Sequence, residues 1–213
     1  MEPISVFKNT MTRVKEIIKL ARPGGRGRPG MPKTDVLRSA IVLAVSALDA
    51  YVSDIYKMHF VNCLTYQFNN GGPNPRMNNI LKLLVKRQDN IFVFLINKND
   101  CTEAIEEMIG DLNDNRSYQN PGTIENALGE LGISDLWQRV TDRLSPGFIG
   151  DVKRRITEIS QRRNDIVHRA DIKPENTRAT PINFEETNSM IKDIEIVVEA
   201  IDAIVCVDMN SLE

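Results

Sequence analysis

The stretch LRSAIVLAVSALDAYVSDI, residues 37–55, decides how the rest of the chain is read. Its apolar residues recur at alternating spacings of three and four: Leu37, Ile41, Ala44, Leu48, Tyr51 or Val52, and Ile55. That is the period of an α-helix with one face committed along its whole length. A seam sustained over so many turns suits antiparallel helical neighbours. Thr34 offers an N-cap and the spacing runs on to about Leu64, which predicts a central core helix over 34–64. The most apolar run inside it, 40–50, is interrupted by Ser46 and Asp49 and is too short to span a bilayer.

Outward from this helix the pattern stays helical. On the N-terminal side, Val6, Val14, Ile17, Ile18 and Ala21 give a first helix over 4–21. The segment RPGGRGRPGMP breaks regular structure, since proline and glycine supply neither the amides nor the φ preference of a helix. Residues 22–33 therefore read as a flexible arginine-bearing loop, either reaching over bound RNA or serving as a solvated connection. On the C-terminal side, NNGGPNPR (69–76) is a turn, and helical spacing resumes over 77–97 with Ile80, Leu81, Leu84 and Val85. The run IFVFLI (91–96) has no second strand to pair with and reads as a helix end. A short helix capped by Asp100 or Thr102 follows, then a polar loop at 113–122, then helices over 123–131 and 134–144 capped by Thr123 and Ser134. Residues 98–145 thus form a helical insertion, in which Trp137 shares a face with Val140 and Leu144 and serves as a packing anchor. A helix from Phe148 should end by Ile172, because Pro174 disfavours helix before it. Asn183 with Glu186 makes a capping box for a last helix carrying Met190, Ile194, Val197, Ile201 and Ile204. The fold class is all-α, one helical domain over 1–213.

Composition agrees. Hydrophobic content is 41% and aromatics only 6%, a balance that suits helices packed on helices. Cys63, Cys101 and Cys206 are odd in number and widely spaced, which suggests neither a disulfide framework nor a zinc site. The N-terminus has no signal-peptide pattern, so a cytoplasmic location is expected, with no membrane partner. A net charge of -2 with a pI near 5.8 argues against a general nucleic-acid binder. Charge is uneven, however. Between residues 153 and 173 seven basic residues (Lys153, Arg154, Arg155, Arg162, Arg163, Arg169, Lys173) face three acids, and 21–33 has four basic residues and no acid. Two local basic regions on an acidic chain fit a confined phosphate-binding surface.

The larger region contains ISQRRNDIVHRAD, residues 159–171. On a helix, Val152, Ile156, Ile159, Ile166 and Ala170 form one stripe, and Arg163 falls in the middle of it. A guanidinium on an apolar stripe costs several kcal/mol unless it meets an anion there. His168, one of two histidines, follows five residues on. Asn164 lies one turn before His168 on the same face and can orient it or a phosphate. On one straight helix Arg163 and His168 diverge by about 140°, so either the helix ends before His168 or two copies of the chain share a site across a two-fold axis. The other histidine, His59, has no catalytic neighbour in sequence and reads as structural or merely exposed.

RRNDIVHRAD resembles the signature of the HEPN superfamily, an arginine, four to six residues, then a histidine, with Asn164 as the polar residue after the arginine. Residues 37–55 resemble the long second helix of its RiboL-PSP-HEPN branch, and NPGTIENALGELGISDLW resembles that branch's middle helices, so the likeness runs from about residue 30 to 205. It implies an up-and-down bundle that dimerises and cuts RNA at a composite cleft without metal or other cofactor. Arg163, His168 and Asn164 would be catalytic, with Arg162, Arg169, Arg155, Arg26 and Arg28 binding RNA. The products would be 2′,3′-cyclic phosphate and 5′-hydroxyl ends, and the role that of a toxin or phage-defence effector with an antitoxin or defence-system partner. The alternative is a non-catalytic HEPN-fold dimeric binding or interaction module. Ala170 stands where some HEPN toxins carry a tyrosine, so pairing with a nucleotidyltransferase is not expected.

Overall fold

The computed structural model describes residues 2–22, 31–87, 101–144, 151–175 and 177–210, and every regular element among them is an α-helix. In chain order these are α1 (Pro3–Lys19), α2 (Met31–Asn69), α3 (Pro75–Arg87), α4 (Cys101–Asp114), α5 (Pro121–Glu130), α6 (Leu136–Arg143), α7 (Val152–Arg169) and α8 (Phe184–Asn210). The runs 91–96 and 145–150, including Phe148, lie outside the described residues.

α2 is the axis, and its composition explains why. The expected seam of Leu37, Ile41, Ala44, Leu48, Tyr51, Val52 and Ile55 is buried throughout, and Ala40, Val45, Tyr56, Phe60 and Cys63 are buried beside it. A helix apolar round most of its circumference has to be enclosed on several sides. Thr34 lies inside the first turn instead of capping it: the helix opens at Met31 and Pro32, because a proline near the start gives up an N–H that had no partner anyway. At 39 residues, about 58 Å, α2 is longer than the sequence suggested. Over Lys33–Asn69 it is in fact long and apolar enough to cross a bilayer, contrary to the reading of 40–50, but half of its most apolar window is buried within the protein.

Cross-helix contacts give the directions. Phe7 of α1 meets Tyr51 (ring centroids 5.8 Å apart), while at the other end of α1 the Lys33 ammonium donates to the Arg22 carbonyl (3.0 Å), so α1 runs antiparallel to α2. On α8, Asp202 accepts from the Tyr51 hydroxyl at 2.9 Å and Met209 meets Cys63, so α8 runs parallel to α2. Asp171, just past α7, meets Arg38 near the start of α2, and Ser160 reaches Gln119, which bonds Asp49; α7 is therefore antiparallel. The four long helices alternate up and down, as the family resemblance implied.

Two polar residues of α2 are docking points for the 113–122 segment. Asp49 accepts from the Tyr118 amide (2.5 Å) and the Gln119 side chain (2.9 Å), and the Asn113 amide group donates to the Ser53 hydroxyl at 2.7 Å. The 113–122 segment, expected as a plain polar loop, thus places Asn113 and Tyr118 in the core. The buried polar groups of this segment find partners on α2, as burial requires, while Asn115, Ser117 and Asn120 stay exposed. Trp137 is the packing anchor expected of it, buried with its indole N–H donating to the Pro121 carbonyl at 3.1 Å.

Helix starts differ by a few residues from the sequence reading. α5 is capped by Asn120, not Thr123: the Thr123 amide donates to Asn120 Oδ1 at 3.1 Å with Pro121 in the first turn. Asp135, in a left-handed conformation, precedes α6 in place of Ser134. α7 begins after Asp151, whose side chain accepts from the Arg154 amide. Asn183 does cap α8, accepting from the Glu186 amide at 2.8 Å. Asn183→Ala is expected to cost about 1 kcal/mol, read as a lower urea midpoint at unchanged m.

Candidate functional site

α7 is held by one narrow stripe. Val152, Ile156 and Ile159 are buried, and Ile166 packs against the edge of the core. The stripe stops there, because Ala170, expected to continue it, is exposed in a left-handed conformation (φ 50°) that ends the helix. α7 nevertheless runs through Arg169, so His168 is helical, and an early helix end does not explain how the motif converges. Local bonding supplies part of the answer. Arg163 is half-buried on the stripe, and its Nη1 donates to Asn164 Oδ1 at 3.2 Å. One residue of helix is about 100° of rotation, so this bond swings the charged head away from the core. It points toward the face where Asn164 and His168 stand exposed, one turn apart. Arg163 Nε is buried and has no hydrogen-bond partner among the described residues. Val167, 46% exposed, lies on the same outward side.

The basic character of α7 is largely spent inside the molecule. Lys153 pairs with Glu125 at 2.8 Å and Arg154 with Glu158 at 2.5 Å. Arg155 donates to Asp193 of α8 from Nε at 3.0 Å and also from Nη2. Arg162 donates to Asp171 at 2.8 Å. Arg155 and Arg162, expected to face RNA, therefore have carboxylates of this chain as partners, because α7 lays that side against α8 and the segment after Asp171. Arg163 and Arg169 are the α7 cations without a salt bridge among the described residues, and Arg169 is exposed.

Asp171 is a hub that the sequence reading passed over. It is 1% exposed, with φ 63°, and its Oδ2 accepts from Arg38 Nε and Arg162 Nη2, both at 2.8 Å. Its carbonyl accepts from the Thr180 amide (2.8 Å) and hydroxyl (3.0 Å), and its own amide donates to the Asp165 carbonyl at 2.9 Å. Arg38 Nη2 and Arg162 Nη2 reach on to the Thr180 and Pro181 carbonyls at 2.8 and 3.1 Å. The signal available in the sequence was Arg38, a guanidinium beside the apolar seam of α2.

The flanks of the arginine loop meet at this same end. Arg22 lies over the Phe184 ring, 5.7 Å from its centroid, and Lys33 bonds the Arg22 carbonyl. Arg26 and Arg28 lie outside the described residues. Toward the opposite end of α2, the half-buried His59 lines a cavity of about 430 Å³ with Asn62, Thr65, Tyr66, Asn69 and Asn210. Burial pushes the His59 pKa below its ordinary 6.5, with Asp202 opposing. As pH falls below that value the unfolded chain takes up the proton first, so this group's contribution to stability is complete above 6.5 and is lost in acid. His59→Gln is expected to flatten the acid limb of stability measured by urea unfolding between pH 5 and 8.

The family model described as RiboL-PSP-HEPN matches residues 9–207 of the chain. No curated protein matches it, and no solved structure does.

Proposed function

The chain belongs to the RiboL-PSP-HEPN family, and from that premise we propose that it is a metal-independent endoribonuclease working as a homodimer. One observation carries the reading. Of the cations on α7, the two with no carboxylate partner among the described residues are Arg163 and Arg169, placed on either side of His168. A fold that neutralises the neighbouring cations and leaves these two keeps positive charge where an RNA phosphate would lie.

In this mechanism His168 takes the proton of a ribose 2′-hydroxyl as the oxygen attacks the adjacent phosphorus. The 5′-oxygen leaves and takes up a proton, from the same imidazole or from the partner's copy. Arg163 stabilises the charge that builds on the phosphate, and Asn164 holds the guanidinium on that face. The products are 2′,3′-cyclic phosphate and 5′-hydroxyl ends. DNA, lacking the attacking hydroxyl, is not cut. A second copy against this face covers exposed Val167 and Ile172 and gives the half-buried Arg163 a polar environment. A toxin or phage-defence role is part of this proposal, with family membership as its only support.

The test is incubation of labelled mixed-sequence RNA with the purified protein in EDTA, followed by analysis of the product ends. Cyclic phosphates that form with the wild type and vanish in Arg163→Ala support the enzyme. A folded dimer that cuts no RNA turns the reading to a binding module. RNA affinity gives an independent check: Arg169→Ala is expected to weaken binding and to reduce the slope of log K against log salt by about 0.7, whereas Arg155→Ala leaves the slope unchanged.

A further inference from the structure

We propose that Asp171, clamped between Arg38 and Arg162, is a positioning device that fixes the end of α7 and with it the direction of His168. Three observations converge on it. The carboxylate is buried and held by two guanidiniums from different helices, α2 and α7, at 2.8 Å each. The backbone at Ala170 and Asp171 is left-handed at two consecutive non-glycine residues, φ 50° and 63°. An alanine or aspartate held there costs about 1–2 kcal/mol and persists only where the surroundings over-determine it. Finally, the cluster leaves polar atoms unpaired. Arg162 Nε and Asp171 Oδ1 are buried without hydrogen-bond partners among the described residues, as is Arg163 Nε on the next residue.

Strain and orphaned polar atoms at one point are an expensive way to close a loop, and a glycine or asparagine cap would do that more cheaply. What this arrangement does supply is a fixed reference. The Asp171 amide bonds Asp165, so the last turn of α7, which contains His168, is trapped between its own stripe and the clamp. Arg38 ties that turn to the central helix, so His168 has a defined place relative to the core although its own side chain is exposed. Arg162 belongs to this device, next in sequence to the arginine that faces outward.

The kinetic arm of the test rests on the endoribonuclease reading; the spectroscopic arm does not. The chain has two histidines, so the imidazole carbon-bound proton resonances of labelled protein are two sets, assigned with His59→Gln. In Asp171→Asn the His168 resonances are expected to shift and broaden while those of His59 stay in place. Turnover should fall about ten- to a hundredfold, with KM within about twofold of wild type, as for a small misplacement of a reacting group. Arg38→Gln leaves the Arg162–Asp171 pair in place and should act in the same direction with a smaller effect. It carries the test if Asp171→Asn does not fold. Folded variants with His168 resonances and turnover like wild type overturn the proposal and make the clamp a staple for the segment after α7. If wild type itself cuts no RNA, the nuclease reading fails, and the resonances alone decide the clamp.

Discussion

His168→Ala is expected to remove RNA cleavage, a loss on the order of a hundred- to ten thousand-fold in turnover, while the protein unfolds within about 0.5 kcal/mol of wild type. The two halves of that expectation come from the same fact. His168 stands exposed on the last turn of α7. Truncating it therefore opens no cavity, and alanine is the better helix former. A large kinetic loss with no loss of stability separates a group that moves protons from one that holds the fold. Cleavage that persists in a folded His168→Ala protein would rule out the imidazole as acid or base. Asn164→Ala should fall between the two, since it frees the guanidinium of Arg163 without removing a reacting group. Product ends and single-turnover rates on one RNA, in EDTA, measure all three proteins under one condition.

The largest effect on stability is expected at Glu130. Its carboxylate, 7% exposed, accepts from Arg116 at 2.9 and 2.8 Å in a forked pair and from the Tyr56 hydroxyl at 2.5 Å. Arg116 in turn lies over the rings of Tyr56 and Tyr118, 5.1 and 5.4 Å from their centroids. Burial, followed by the negative charge of Glu130, pushes the Tyr56 pKa far above the ordinary phenol value, so the hydroxyl remains a donor in alkali. Glu130→Ala leaves a mostly buried guanidinium and a buried phenol at the junction of α2 and α5 without their carboxylate. Removing one partner of a buried pair costs about 3–5 kcal/mol, which lowers Tm by roughly 6–20 °C in a chain of this size. Calorimetry of Glu130→Ala beside the double variant Glu130→Leu with Arg116→Met checks the cause. The double variant is expected to recover most of the loss, because the penalty lies in the stranded charge and not in the missing attraction. If both lose equally, shape at that junction matters more than charge.

The helices and their core faces were legible because burial and helical period act along a single segment. The 37–55 seam, the stripe of Val152, Ile156 and Ile159, and Val197, Ile201 and Ile204 of α8 are all buried as read. Caps were less legible. Asn120 and Thr123 are both good capping residues, and the choice rested on Pro121, whose place in the first turn fixes the start before Thr123. The 113–122 loop misled because its polar residues looked solvated. Asn113 and Gln119 find their partners, Ser53 and Asp49, some sixty to seventy residues away, where nothing in the local pattern points to them.

By itself, then, the sequence determined the all-α class, the central helix and the grouping of Arg163, Asn164 and His168, since each depends on spacing within one helix. The tertiary structure alone decided which charges remain available. Lys153, Arg154, Arg155, Arg162, Arg163 and Arg169 are equivalent in a count of charge. Packing α7 against α8 and the segment after it brings Asp193 to Arg155 and Asp171 to Arg162, while among the described residues it brings no carboxylate to Arg163, which bonds its neighbour Asn164. The energy of a charge depends on what stands within a few ångströms of it, and that is settled by residues distant in the chain.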